Sequence, residues 1–177
     1  MLTNILLIIS ALVVVLLVVA SMRPDEMRIT RSVTIAAPPA AVFAQVNDFH
    51  LWDAWSPWAK LDPACKNTFE GPPAGTGAGF RWDGNNKVGA GAMTITESRP
   101  GELVLIRLEF HRPFKALNSA EFTFQPEGGK TLVTWTMLGK NNLISKVFGL
   151  FVNCEKMVGK DFETGLATLK IVTETAS

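Results

Sequence analysis

The chain has little from which a reactive centre could be built. Its 177 residues include two histidines, His50 and His111, and two cysteines, Cys65 and Cys154. The cysteines stand far apart and belong to no Cys-x-x-Cys pair or Cys/His cluster. A zinc site and a disulfide framework are therefore not expected, and both thiols read as small core residues. No Gly-x-Ser-x-Gly elbow and no His-Glu-x-x-His run occurs, which weakens hydrolase and metalloenzyme readings; neither a metal nor a cofactor is expected. Gly71, Gly75, Gly77 and Gly79 lack the dinucleotide fingerprint and the Walker lysine-hydroxyl pair, so they read as a flexible hairpin connection that can gate a cavity. Net charge is also scarce. Seventeen Lys and Arg against sixteen Asp and Glu leave +1, too little to draw the protein to nucleic acid.

What is abundant is aliphatic. Ile5 to Met22 runs as ILLIISALVVVLLVVASM with no charge, and at about 1.5 Å per residue a helix of that length approaches the roughly 30 Å hydrocarbon core of a bilayer. Thirteen residues between Ile5 and Ala20 are Leu, Ile or Val, each worth roughly −0.3 to −0.6 kcal/mol of insertion at a helix centre. Residues 1–22 are expected to be a single-pass anchor. A cleaved signal peptide is the alternative, with Val18 and Ala20 as the small residues of a cleavage site, although Met1 to Asn4 carries no Lys or Arg. Arg23, Arg28 and Arg31 all follow the apolar run, so the positive-inside bias places the rest of the chain in the cytoplasm.

Residues 23–27 read as a polar linker, and residues 28–177 as one domain of a size that can bury a full core. Ile29, Val33 and Ile35 alternate with Thr30, Ser32 and Thr34 in a first strand. Pro38 and Pro39 open a helix through Val42, Phe43 and Val46, and a second short helical stretch carries Trp52, Trp55 and Trp58. From Lys66 to Leu138 turn clusters cut the chain into six strand-like runs, which as successive hairpins make an antiparallel sheet. Parity assigns the inward face to Phe80 and Trp82, Met93 and Ile95, Val104 to Phe110 at alternate positions, Phe122 and Phe124, and Val133, Trp135 and Met137. After Asn141 and Asn142 helical spacing returns to near the end, with Phe151, Cys154, Val158, Phe162, Gly165 and Leu169 on one stripe. That stripe must be buried, and the sheet offers the only large apolar surface.

The segments RSVTIAAPPAAVFAQVNDFHLWDAWSPWAKLDP, GTGAGFRWDGNNKVGAGAMTITESRPG, LVTWTM and GKDFETGLATLK resemble the polyketide cyclase/dehydrase branch of the SRPBCC superfamily, which also includes START lipid-transfer domains. The resemblance implies an α+β helix-grip fold, in which a seven-stranded antiparallel sheet wraps a long C-terminal helix around an apolar cavity. It carries no transferable catalytic motif.

On these grounds the leading expectation is a membrane-anchored binding or carrier domain for a hydrophobic small molecule or lipid. Phe80, Trp82, Met93, Ile95, Val104, Ile106, Phe110, Phe122, Trp135 and Phe162 are its candidate lining. The same residues can instead fill a solid core. A second reading is a cyclase- or dehydratase-like enzyme, for which Glu97 is the candidate acid or base because it continues the inward parity of Met93 and Ile95. A third is a protein-interaction module using the sheet's outer face, which reads as polar and threonine-rich. His111 reads as an exposed turn residue, and His50 as a capping residue or one at the cavity mouth.

Overall fold

The apolar N-terminal run forms α1, Leu2–Ser21, in a computed structural model that describes residues 2–176. Met1 and Ser177, where the expected anchor and domain begin and end, lie outside the described residues. Thr3–Ser21 is long and apolar enough to cross a membrane, and nearly all its aliphatic side chains are exposed. Most of its apolar side chains therefore face away from the protein, and at its C-terminal end α1 meets the short helix Leu143–Phe148.

The chain then enters β1, Glu26–Ile35, so Glu26 and Met27 belong to the first strand and the linker is correspondingly shorter than the sequence suggests. Pro39 occupies the first turn of α2, Pro39–Asn47, where a missing N–H breaks no helical hydrogen bond. A short 3₁₀ helix, Phe49–Ala54, follows; the Asp48 side chain caps it by accepting from the His50 N–H at 2.8 Å. Six strands complete the sheet: β2 Lys66–Glu70, β3 Gly79–Asp83, β4 Ala90–Arg99, β5 Leu103–Arg112, β6 Ala116–Glu127 and β7 Lys130–Lys140. They form one antiparallel seven-stranded sheet in the order β1-β7-β6-β5-β4-β3-β2. The successive hairpins from β2 to β7 leave those two strands as the edges, and β1 pairs with the β7 edge.

The C-terminal helical region is divided. α3 spans Leu143–Phe148 and α4 spans Cys154–Thr175, with a non-helical break between them. The Asn153 side chain accepts from the Lys156 N–H at 2.9 Å and starts α4 as an N-cap. Phe151 therefore leaves the gripping stripe and is 74% exposed. The rest of that stripe is placed as its spacing requires: Phe162, Gly165, Leu166 and Leu169 are buried. α4 lies along β1 and also meets α2 and the 3₁₀ helix. Between helices and sheet sits a single core that includes Ile29, Ile35, Val42, Val46, Trp52 and Trp55.

Candidate functional site

The inner face of the sheet carries the candidate lining, and the structure divides those ten residues in two. Ile95, Val104, Ile106, Phe122, Trp135 and Phe162 are buried and packed against one another. Trp135 is their centre. Its indole stacks on Phe162 of α4 with centroids 3.9 Å apart and planes within 5°, and on Phe122 of β6 at 4.8 Å. Trp52, Trp55 and Trp58 meet it edge-on at 6.4, 5.9 and 5.8 Å, a geometry that sets positive ring edges against a negative ring face. α4 approaches this closely because residue 165 is glycine: a Cβ there would stand 3.0 Å from Pro57 and 3.1 Å from the Trp135 ring. One polar atom in the cluster is left over. The Trp135 Nε1–H is buried without a hydrogen-bond partner, although burial of such a donor is normally accompanied by an acceptor.

Phe80, Trp82, Met93 and Phe110 behave differently. They lie on the same face but towards the β2 edge, away from β1 and α4, and each is only partly buried. Phe80 stacks on Trp82 at 6.1 Å, and Trp82 meets Phe110 edge-on at 6.0 Å. The Trp82 Nε1–H donates to the Val88 carbonyl at 3.2 Å, which turns the ring over Gly91. Any Cβ at residue 91 would collide with that ring. Phe49 of the 3₁₀ helix covers one end of this aromatic shelf, 6.0 Å from Phe80. Phe69 extends it: paired with Phe80 in register, it packs 5.3 Å from that ring and stacks 4.0 Å from His50. Strand parity within KNTFE is too short a signal to assign Phe69 to a face.

Glu97 is not on the inner face. A register shift between Ile95 and Glu97 leaves Thr96 unpaired, so Ile95 opposes Ile106 while Glu97 opposes the outward Leu105. One extra residue reverses the alternation, and Glu97 points to solvent, 3.2 Å from Arg99. The inward placement expected from the parity of Met93 and Ile95 is therefore corrected: Glu97 lies on the outer face. Ser98 takes the inward position and donates to the Asn47 side chain at 2.7 Å.

The histidines and thiols also sit outside the core. His111 is exposed, and His50 is held at the surface by Asp48, 2.7 Å from its Nδ1. Cys65 donates to Asn67 at 3.4 Å, and burial pushes its thiol up, away from the reactive thiolate. The glycine-rich connection between β2 and β3 is pinned rather than loose: Gly77 N–H donates to the Ile95 carbonyl at 2.8 Å, Ile95 N–H to Ala78 at 2.9 Å, and Gly75 N–H to Asn47 at 3.1 Å. Gly71, Gly75 and Gly77 adopt positive φ, which is what allows the chain to fold back there.

Solved structures share this fold. A protein from Thermobifida fusca is similar with a TM-score of 0.63 at 22% identity, covering 82% of this chain and 92% of that one. The Aha1 dimer from Colwellia psychrerythraea gives 0.61 at 15% identity, over 84% and 96%. Ara h 8.0201 gives 0.59 at 12% identity, over 85% and 99%. At such identities the likeness concerns the fold. None of the curated proteins matches in sequence. The match of residues 26–174 to the family described as polyketide cyclase/dehydrase and lipid transport spans the whole sheet and nearly all of α4, and the chain belongs to that family.

Proposed function

We propose that the protein is a membrane-anchored binding or carrier domain for a hydrophobic small molecule or lipid, taken up on the inner face of the sheet. The observation that carries this is the apolar shelf of Phe80, Trp82, Met93 and Phe110, held only partly buried on the face that α4 covers at its other end. Large apolar side chains normally pack out of water, and an apolar guest laid on them would complete their burial. The unpartnered Trp135 N–H supplies a donor for a polar group of the guest when α4 moves off the stack. A family that includes lipid transport supports the same class of ligand.

α1 serves as the anchor in this reading and keeps the shelf close to lipophilic molecules. The domain faces the cytoplasm, on the strength of Arg23 and Arg28. Arg31 adds less to that bias than its position suggests, because Glu155 and Glu163 pair with it at 2.9 and 2.6 Å.

The test uses a chain beginning at Glu26 and titrates it with an apolar fluorescent probe. Binding is expected in the micromolar range, about −8 kcal/mol. Trp82→Ala is expected to weaken binding while leaving the denaturant midpoint close to the parent's. A wild-type domain that never binds the probe, together with a large loss of stability in Trp82→Ala, overturns the reading. Protease added outside intact cells is expected to leave the domain uncut, and digestion there reverses the orientation.

A further inference from the structure

α3 is too short to hold itself together and too apolar to be left in water. Leu143 and Ile144, Val147 and Phe148, then Phe151 recur at the spacing of one helical stripe. Nothing in the core receives them: Ile144 is 72% and Phe151 74% exposed, and Leu143 and Phe148 are about half exposed at 50% and 49%. Contiguous exposed apolar surface of this kind marks a contact with a partner or a membrane.

The position of α3 beside α1 favours the membrane. The same side chains wall a hollow of about 370 Å³ whose remaining wall is Leu17 of α1. Leu17 stands four residues before Ser21, the last residue of α1. At about 1.5 Å per residue, that puts it roughly 6 Å inside the apolar run. α3 is also fastened to the place where α1 ends. Lys146 pairs with Asp25, the Asn141 N–H donates to the Asp25 carbonyl at 2.8 Å, and the Asn141 Nδ2 donates to the Pro24 carbonyl at 3.2 Å. The Lys146 side chain is only 9% exposed, while the Asp25 carboxylate it reaches stands in solvent at 88%, so the tie is anchored in the joint on the α3 side alone.

From this we infer that α3 and the turn after it are a membrane-interface element, with Leu143, Ile144, Phe148 and Phe151 inserted at the acyl boundary of the bilayer that α1 spans. The inference rests on the reading of α1 as an anchor. The geometry is that of an interfacial amphipathic segment, whose apolar face sits some 5–10 Å deep while its polar side remains in the headgroups. Asn142 and Ser145 provide that polar side; the Asn142 side chain caps the helix by accepting from the Ser145 N–H at 2.8 Å. Because only the short break separates α3 from α4, the grip over Trp135 is joined directly to the lipid surface.

The test places nitroxide labels on the full chain, with Cys65 and Cys154 replaced by serine, in vesicles of phosphatidylcholine and phosphatidylglycerol. Single cysteines at Leu12, Ile144, Phe151 and Asn86 report collision with oxygen, which favours lipid, and with a water-soluble nickel chelate. Expected are oxygen-dominated collisions at Leu12, Ile144 and Phe151 and nickel-dominated ones at Asn86. Nickel-dominated collisions at Ile144 and Phe151 with Leu12 still in lipid overturn this inference alone. If Leu12 is also open to the nickel chelate, the anchor reading falls and takes the inference with it. Dipolar broadening between Phe151→Cys labels on different chains, with no oxygen preference, shows a second copy covering α3 and likewise overturns it.

Discussion

Arg31 of β1 occupies the space that a side chain at residue 159 of α4 would need. Gly159 has no Cβ, and a methyl group in its place would collide with the Arg31 guanidinium, which runs on to reach Glu155 at 2.9 Å and Glu163 at 2.6 Å. The two carboxylates, Glu155 first, hold the guanidinium pKa above its ordinary value. One glycine thus lets an inward-facing arginine fasten the gripping helix to the sheet edge without entering the core.

Gly159→Ala is expected to displace Arg31 and release both ion pairs while leaving the fold intact, because the atom it strikes is the end of a flexible side chain. The pairs are water-exposed at their carboxylates, where such bridges are weak. The loss should be small and should not add to that of Arg31→Met. A double-mutant cycle read by denaturant melts checks this, and additive losses would show that Gly159 acts through something other than Arg31.

The Trp135 stack predicts a contrast between two substitutions. Phe162→Ala removes a ring that is 1% exposed and leaves a void against Trp135, at a cost of about 3–5 kcal/mol. Trp135→Phe loses some volume but also deletes a buried donor that has no partner, and those effects oppose each other. Its cost should be well below that of Phe162→Ala. Equal losses in denaturant melts of the two variants would show that the N–H is satisfied in solution.

Glu97→Gln tests the bulge. With its carboxylate in solvent beside Arg99, the variant is expected to bind an apolar probe as the parent does and to melt within about 0.5 kcal/mol of it. A change in probe affinity of tenfold or more would return Glu97 to the inner face.

That residue also marks where the sequence stops being informative. Alternation over Phe122, Phe124, Val133, Trp135 and Met137 identifies the buried face correctly, because strands β6 and β7 pair without interruption. On β4 the same rule holds for Met93 and Ile95 and fails two residues later, since nothing local in TITES signals that Thr96 drops out of register. The gripping stripe is legible at Phe162, Gly165 and Leu169 and misleading at Phe151, because helical spacing persists across a break that the Asn153 cap creates. The order of elements is therefore readable from period and turns. The division of the lining into a packed stack and an open shelf is not, because it depends on how far α4 extends across the sheet. The glycines at 159 and 165 add a close approach of α4 to Arg31 and Trp135, and their value lies in what they leave empty.

The far end of α4 supplies a prediction about pH. Glu174 accepts the Ala36 N–H at 2.6 Å and meets Lys170 at 3.1 Å, while Lys170 donates to the Thr34 carbonyl at 2.7 Å. These contacts, the Ala36 N–H foremost and Lys170 after it, hold the Glu174 carboxyl below its ordinary pKa. Asp25 is held low as well, first by its hydrogen bond to Lys146 and then by that residue's charge. A carboxyl whose pKa is depressed by folding binds fewer protons in the native state than in the unfolded one. Its stabilisation is fully present above the ordinary carboxylate range, about pH 4 to 4.5, and is lost as pH falls through the depressed value. The melting temperature is therefore expected to fall on acidification below about pH 4.5. Glu174→Gln, which keeps an acceptor for the Ala36 N–H but cannot titrate, should melt lower than the parent at neutral pH and show a shallower decline in acid. Thermal melts of both proteins from neutral pH down to about pH 3 decide the matter: parallel curves would mean that Glu174 has the same proton affinity folded and unfolded, and that the tie between α4 and the end of β1 does not persist in solution.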